Sequence, residues 1–332
     1  MQRPAPQPVR YDWQLLDAGP LLLDAGGMFG LIPKVVWSRS VETDDKNRVA
    51  LRHNALLLRG GGRTILIETG SGNKLDEKMT RVFGLSSRTA ESAVTDAGVD
   101  PEEVAAVVVT HLHFDHAGGL TRRLRAGEDP DWTATAPHQS SGDADAVKLT
   151  FPNAQVIAQR REWTDALNNT SVMTRTYFPD HLLPLEKPLN ADGRERLRLI
   201  DSPIPFPADH APLRDERPKA LLQNRATEVL PGVRVFLTPG HTWGQQCVLF
   251  EDTAGRTVVF TSDVLPTHWH AGQAYSLAYD VEPYTSMVSK GWLLAEAAAN
   301  NWLLVLDHDP ETPLVTVEPD GKGWFTLLPS QA

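Results

Sequence analysis

The chain has 332 residues, 41% hydrophobic and 22% charged, and a formal net charge of -10, enough length to bury a sizeable core. The negative balance excludes a nucleic-acid partner, because phosphate backbones need clustered Lys and Arg and no basic run here is longer than Arg122-Arg123. No stretch of about 18 apolar residues offers a membrane span, and Met1 to Arg10 carry no apolar leader core, so a cytoplasmic chain is the expectation.

In chain order, the first expected element is a hairpin over Asn54 to Glu68. Ala55 to Leu58 and Thr64 to Ile67 are short apolar runs, and Gly60-Gly61-Gly62 supplies the turn. Ser87 to Gly98 reads as a helix with Ala90, Val94 and Ala97 on one face. Asp100-Pro101-Glu102-Glu103 has the chemistry of a helix start: an acidic cap, Pro in the first turn, and acids that complement the helix dipole. That helix must be short, since the apolar run Ala105 to Val109 follows at once as a buried strand.

Thr121 to Thr150, rich in Asp, Ala, Ser and Gly, and Ile200 to Pro218, with five prolines, are expected to be surface loops. They define insertions at about 121–150 and 200–230 in a single domain spanning 1–332. Val233 to Leu237, Cys247 to Phe250, Thr257 to Phe260 and Trp302 to Leu306 read as strands, and Ser286 to Asn300 as a helix. Cys247 is the lone cysteine, so no intrachain disulfide forms; inside an apolar strand it is expected to be a small core hydrophobe.

The strand Ala105 to Val109 runs directly into His111-Leu112-His113-Phe114-Asp115-His116-Ala117-Gly118-Gly119. Histidines two apart in an extended segment point the same way, so His111 and His113 can share one cation. Asp115 and His116 follow where the chain turns and face a neighbouring position, and Gly118 and Gly119 are expected to permit a sharp turn. Four polar groups at the end of an apolar strand need partners. Imidazoles with a minority of carboxylates suit zinc, with manganese, iron and cobalt also compatible.

This cluster resembles the HxHxDH motif of the metallo-β-lactamase superfamily. Thr238-Pro239-Gly240-His241-Thr242, Phe260-Thr261-Ser262-Asp263 and Leu306-Asp307-His308-Asp309 resemble that family's later ligand elements, in the same order. The resemblance implies an αββα sandwich of two mixed sheets flanked by helices. It also implies two Zn2+ per chain: one held by His111, His113 and His241, the other by Asp115, His116 and His308, with Asp263 bridging. A histidine at position 113, where the family's diiron redox branch has glutamate, favours hydrolysis. A metal-bridging hydroxide is the expected nucleophile, with Asp115 the proton shuttle.

Leu23 to Lys34, Asp263 to His270, Leu277 to Asp280 and Tyr284 to Ser286 resemble the YtnP-like branch of N-acyl-homoserine lactonases. The substrate implied is a small ester or lactone, quorum-quenching lactone hydrolysis is the implied activity, and a homodimer is an expectation of the family alone. A phosphotriesterase or a general esterase would use the same ligands, and a catalytically silent metal-binding scaffold is the non-enzyme alternative. The sequence departs from the lactonases at Pro266, where they carry a carbonyl-binding tyrosine; Tyr275 and Tyr279 are candidate replacements. Glu68, in Glu68-Thr69-Gly70, is expected to support the ligand loop without being a ligand. Met28, Phe29, Phe114, Trp269 and Tyr275 are candidate contacts for an apolar substrate, while His268 and His270 are expected to act outside the metal sites.

Overall fold

The computed structural model describes residues 8–134, 145–168, 176–189, 195–205 and 225–331. Among them, one sheet has six strands in the spatial order Asp12–Asp24, Arg48–Gly60, Arg63–Ile67, Val104–Val108, Gln155–Gln159 and Leu197–Ile200. Its first three strands pair antiparallel and the rest parallel. A second sheet has seven: Thr227–Leu230, Val233–Leu237, Gln246–Glu251, Thr257–Phe260, Leu303–Val305, Leu314–Pro319 and Phe325–Pro329.

Alternation of side chains along each strand builds the layers. In the first sheet, Leu56, Leu58, Ile65, Ile67, Ala106 and Val108 face inward to meet Val233, Val235, Val248, Phe250, Val258 and Phe260 of the second. The intervening Leu57, Leu66 and Val107 point outward, onto Ala90, Ala93 and Val94 of the helix Ala90–Asp96 and Trp163 and Ala166 of the helix Arg160–Asn168. On the far side, Phe236, Leu249, Val259 and Leu304 pack against Leu293, Leu294 and Ala297 of the helix Pro283–Asn300. Two mixed sheets lie face to face with helices outside, the αββα arrangement expected from the motifs. Strands buried on both faces explain why the sequence shows continuous apolar runs there.

The hairpin forms, with Gly61 (φ 55°) and Gly62 (φ 71°) at its turn. It begins earlier than the apolar run suggests, because Asp12–Asp24 pairs along the whole of Arg48–Gly60. Thr89 caps the helix Ala90–Asp96 in a reciprocal box with Ser92. The expected short helix after Asp100 is a single 3-10 turn, Pro101–Glu103.

The loop expectation for 121–150 is corrected at both ends of the range, while 135–144 lie outside the described residues. Thr121–Arg123, Ala146–Leu149 and Trp132–Thr133 form a small antiparallel sheet, because Val147 and Leu149 alternate inward and are buried. Of the second expected insertion, Leu197–Ile200 and Thr227–Leu230 are strands at either boundary, and 206–224 lie outside the described residues. No helix among the described residues is long and apolar enough to cross a membrane.

Cys247 is fully buried in Gln246–Glu251, and burial pushes its thiol up to about 12. Iodoacetamide at about pH 8 is therefore expected to leave the folded chain unmodified and to label it only in denaturant, as read by intact mass. Rapid labelling of the folded chain would contradict this placement.

Candidate metal centre

One strand of the first sheet and three of the second end at the same rim. Val104–Val108 leads to His111 and His113 and then to the one-turn helix Phe114–Ala117, which carries Asp115 and His116. Val233–Leu237 leads to His241, Thr257–Phe260 to Asp263, and Leu303–Val305 to His308. All seven side chains are buried.

They fall into two groups. His111, His113 and His241 offer nitrogens within 4.8 Å of one another, and so do the ligand atoms of His116, Asp263, Asp307 and His308. Asp263 reaches both: its Oδ2 lies 3.1 Å from His241 Nε2, and its Oδ1 lies 3.2 Å from His308 Nε2 and 3.7 Å from His116 Nε2. Asp115 sits 3.9 Å from the Nε2 atoms of both His116 and His308. Asp307, singled out in the sequence only as the neighbour of His308, approaches His116 from its other side, with Oδ2 3.0 Å from Nδ1.

The far nitrogens of these rings are held from outside. His241 Nδ1 donates to Asp280 Oδ1 at 2.8 Å, His308 Nδ1 to the Arg52 carbonyl at 2.8 Å, and His116 Nδ1 to Glu68 Oε2 at 3.2 Å. His111 Nδ1 has the Thr110 and Ser262 hydroxyls at 3.1 and 3.3 Å. Glu68 also accepts the Thr110 N–H at 2.5 Å, the loop-supporting position expected of it.

These outer bonds fix which atoms face inward. A neutral imidazole that donates through Nδ1 presents a lone pair at Nε2. His241 Nε2 lies within hydrogen-bond distance of His113 Nδ1, at 2.9 Å, whereas His116 and His308 oppose Nε2 to Nε2 at 3.3 Å. Opposed lone pairs repel unless a cation or protons lie between them. His111 Nε2 and Asp263 Oδ1 are also buried without a hydrogen-bond partner. The donor set fits a pair of cations.

The electrostatics agree. Burial and the neighbouring rings hold His111 and His113 well below the usual imidazole range, in the neutral form a metal needs. Against the effect of burial, Asp307, Asp115, Asp263 and Glu68 raise His116, and Asp307 and Asp263 raise His308 to about 10. The carboxylates around these rings demand positive charge, which metal ions would supply in place of protons.

Gly118 and Gly119 differ from expectation in their reason. Gly118 has an ordinary helical φ of -60°. A Cβ on it would meet the Ser71 carbonyl oxygen at 2.3 Å, and one on Gly119 the Thr69 oxygen at 2.1 Å. Close approach of the loop Thr69 to Ser71, not turn geometry, requires them.

The expected substrate contacts are spread out. Met28 and Phe29 are buried; Phe29 stacks on Trp37 at 5.2 Å and on His270 at 5.1 Å between centroids. Phe114 packs on Phe83 at 4.8 Å and edge-on to Phe178. Trp269 and Tyr275 line an open cleft of about 360 Å³. His270 is enclosed between the Thr267 hydroxyl and the Met28 carbonyl, and burial lowers it to about 3. His268 pairs with Asp309 at 2.5 Å. Neither enters the histidine groups.

Sequence reasoning missed Glu162. This buried carboxylate accepts from the Leu112 N–H at 2.9 Å, the Tyr177 hydroxyl at 3.2 Å and the Thr242 hydroxyl at 2.6 Å, tying the His111–His113 segment to the His241 loop. It also missed the role of Asp280. We expect Asp280→Ala to weaken metal binding by about 10–100-fold, as loss of such an outer carboxylate does elsewhere. Competition with a chromogenic chelator measures this, and unchanged affinity would remove Asp280 from the centre.

Residues 48–308 match the metallo-beta-lactamase superfamily. The chain belongs to that superfamily. An N-acyl homoserine lactonase of Bacillus thuringiensis is 24% identical over 166 residues, which take in 50% of this chain and 40% of that protein. The match therefore spans less than half the length of such curated relatives. Among solved structures, a probable metal-dependent hydrolase from Staphylococcus aureus superposes with a TM-score of 0.70 at 23% identity, covering 98% of this chain and 100% of the other. AidC, a dizinc quorum-quenching lactonase in complex with a product, gives 0.66 at 16% identity, covering 98% of each chain. At these identities the likeness speaks for the shared metallo-beta-lactamase fold.

Proposed function

We propose that this superfamily member is a two-metal hydrolase that opens lactone rings, with N-acyl-homoserine lactones as its substrate class. The observation that carries the reading is the division of Asp263, one oxygen toward His241 and the other toward His308 and His116, which is what a carboxylate shared by two cations requires. His111, His113 and His241 would hold one cation, and Asp115, His116 and His308 the other. Asp115 is assigned over Asp307 because it faces the inward Nε2 of His116, whereas Asp307 faces Nδ1. Zinc suits this nitrogen-rich set, with manganese, iron and cobalt compatible.

Two divalent cations would supply Lewis acidity at the carbonyl and lower the pKa of water to about 7. The chain's own groups do the rest. Asp115, at the rim of the inner face, takes a proton on a carboxylate oxygen and returns it to the leaving alkoxide. Tyr279, whose ring lies 6.0 Å from that of His241, donates its hydroxyl to Met28 Sδ at 2.7 Å. A thioether is a weak acceptor, readily exchanged for a substrate carbonyl, so Tyr279 takes the orienting role that Pro266 cannot. The lactonase relatives support the substrate class.

Metal analysis together with turnover of acyl-homoserine lactones, unsubstituted lactones and paraoxon-like triesters tests this. About two metals per chain and preference for the acylated lactones are expected. Faster triester turnover would move the chain to phosphotriester chemistry, and two metals with no turnover of any ester would make it a scaffold.

A further inference from the structure

None of the residues that line an open cleft of about 500 Å³ belongs to the metal centre. The cleft lies between the small antiparallel sheet and the last strand of the first sheet. Lys148 and Leu149 come from Ala146–Leu149, Lys187 and Pro188 follow the 3-10 turn Leu183–Glu186, and Arg196 directly precedes Leu197–Ile200. Its volume falls in the range of small-molecule sites, roughly 300–1,000 Å³.

Three cations, Lys148, Lys187 and Arg196, line it against one carboxylate, Asp131. On a chain with a net charge of -10 this is a local reversal of sign. Asp131 is already shared. Its Oδ1 accepts from Lys187 Nζ at 2.7 Å and from Lys148 Nζ at 3.5 Å, and its Oδ2 accepts the Leu149 N–H at 3.0 Å. Arg196 is only 4% exposed, and its acceptors among the described residues are neutral carbonyls. Nη1 donates to Pro152 at 2.7 Å and to Ala154 at 3.4 Å, Nη2 donates to Pro188 at 3.5 Å, and Nε has no partner. Burial holds this guanidinium below its usual range, with Asp131 pulling it back. A charge taken out of water without a counter-charge of its own is costly, and an anion in the cleft would offset that cost.

We propose that this cleft binds a small organic phosphate, its head held by Lys148, Lys187 and Arg196 and its apolar body lying against Leu149 and Pro188. A phosphate monoester carries a charge of about -1.5 to -2 near neutral pH, which matches the excess of cations over Asp131. Ammonium and guanidinium donors together are the groups that recognise such a head.

The probe is phenylphosphonate, whose P–C bond ester hydrolysis cannot break, titrated into the zinc-loaded full chain at about pH 8 and followed by amide chemical shifts. The amides of Lys148, Leu149 and Asn153 are expected to move together and to saturate with a Kd on the order of 1 mM or below. No response there, or a response confined to residues 111–116 and 241, overturns the proposal, the latter by placing the anion on the metals. Asp131→Asn removes the opposing charge and releases both lysines, while its amide oxygen still accepts from Leu149, so binding is expected to tighten about fivefold or more. A damaged fold would not produce such a gain. Lys148→Gln combined with Lys187→Gln, which keeps part of each stem, is expected to weaken binding about tenfold. Unchanged or weaker binding in folded Asp131→Asn, or unchanged binding in the double variant, overturns the assignment.

Discussion

Asp263→Ala is expected to cost at least one metal equivalent per chain and to lower kcat/KM on the order of a thousandfold or more. The carboxylate is 5% exposed, and each of its oxygens lies within 3.2 Å of a different histidine, His241 on one side and His308 on the other. Burial alone would raise its pKa, yet His241, His116 and His308 hold it well below the usual carboxylate range, so it enters the site as an anion. Alanine leaves two groups of rings with no anion between them. Two cations at close range would then repel with little to offset the repulsion, and at least one would be lost. Metal analysis after dialysis, with steady-state kinetics on the same sample, gives the answer. Two retained metals with near-parent turnover would remove Asp263 from its shared position.

The second large effect falls on a residue that touches neither the reacting atoms nor the cations. Glu162→Ala leaves the Leu112 N–H and the Thr242 and Tyr177 hydroxyls without their acceptor inside a buried region. Each stranded donor costs about 1–3 kcal/mol, so a loss on the order of 3 kcal/mol or more is expected in thermal or urea unfolding. Metal affinity should fall as well, because Leu112 lies between His111 and His113, and Thr242 follows His241. Glu162→Gln keeps one carbonyl oxygen for Leu112 and an amide that can meet a hydroxyl, so it should recover a large part of both losses. An alanine variant as stable as the parent, with undiminished metal affinity, would show that the two loops hold their geometry without Glu162.

The difference between these residues explains what the sequence could and could not disclose. Asp263 was legible because it follows an apolar strand, Thr257–Phe260, and because Phe260-Thr261-Ser262-Asp263 resembles a ligand element of the superfamily. The same holds for His241 and His308. Glu162 stands in the helix Arg160–Asn168 beside Arg160, Arg161 and Asp165, where one acid among charged neighbours looks like solvated surface. Its partners, Leu112 and Thr242, are 50 and 80 residues away, and nothing local announces them. The strand Asp12–Asp24 contains Gly19-Pro20, a pair that ordinarily interrupts a strand. The register shift between Asp17 and Pro20 absorbs that pair within a continuous strand. The strands of 121–150 are two to four residues long, too short for any periodicity to register. Several strands of the two sheets were legible for the opposite reason, since burial on both faces demands uninterrupted apolar runs, while their arrangement as a sandwich was implied by the resemblance.

The centre draws four of its side chains from the end of a strand in one sheet and three from strand ends in the other, and His308 further donates to the backbone of Arg52 across that boundary. Bound ions would thus rivet the two layers together at one rim, while elsewhere apolar packing joins them with few hydrogen bonds, such as Arg198 to the Val229 carbonyl. Stripping the ions should loosen that seam first: amide hydrogen exchange would quicken at residues 109–116, 238–242 and 306–309 long before the midpoints of the strands are affected.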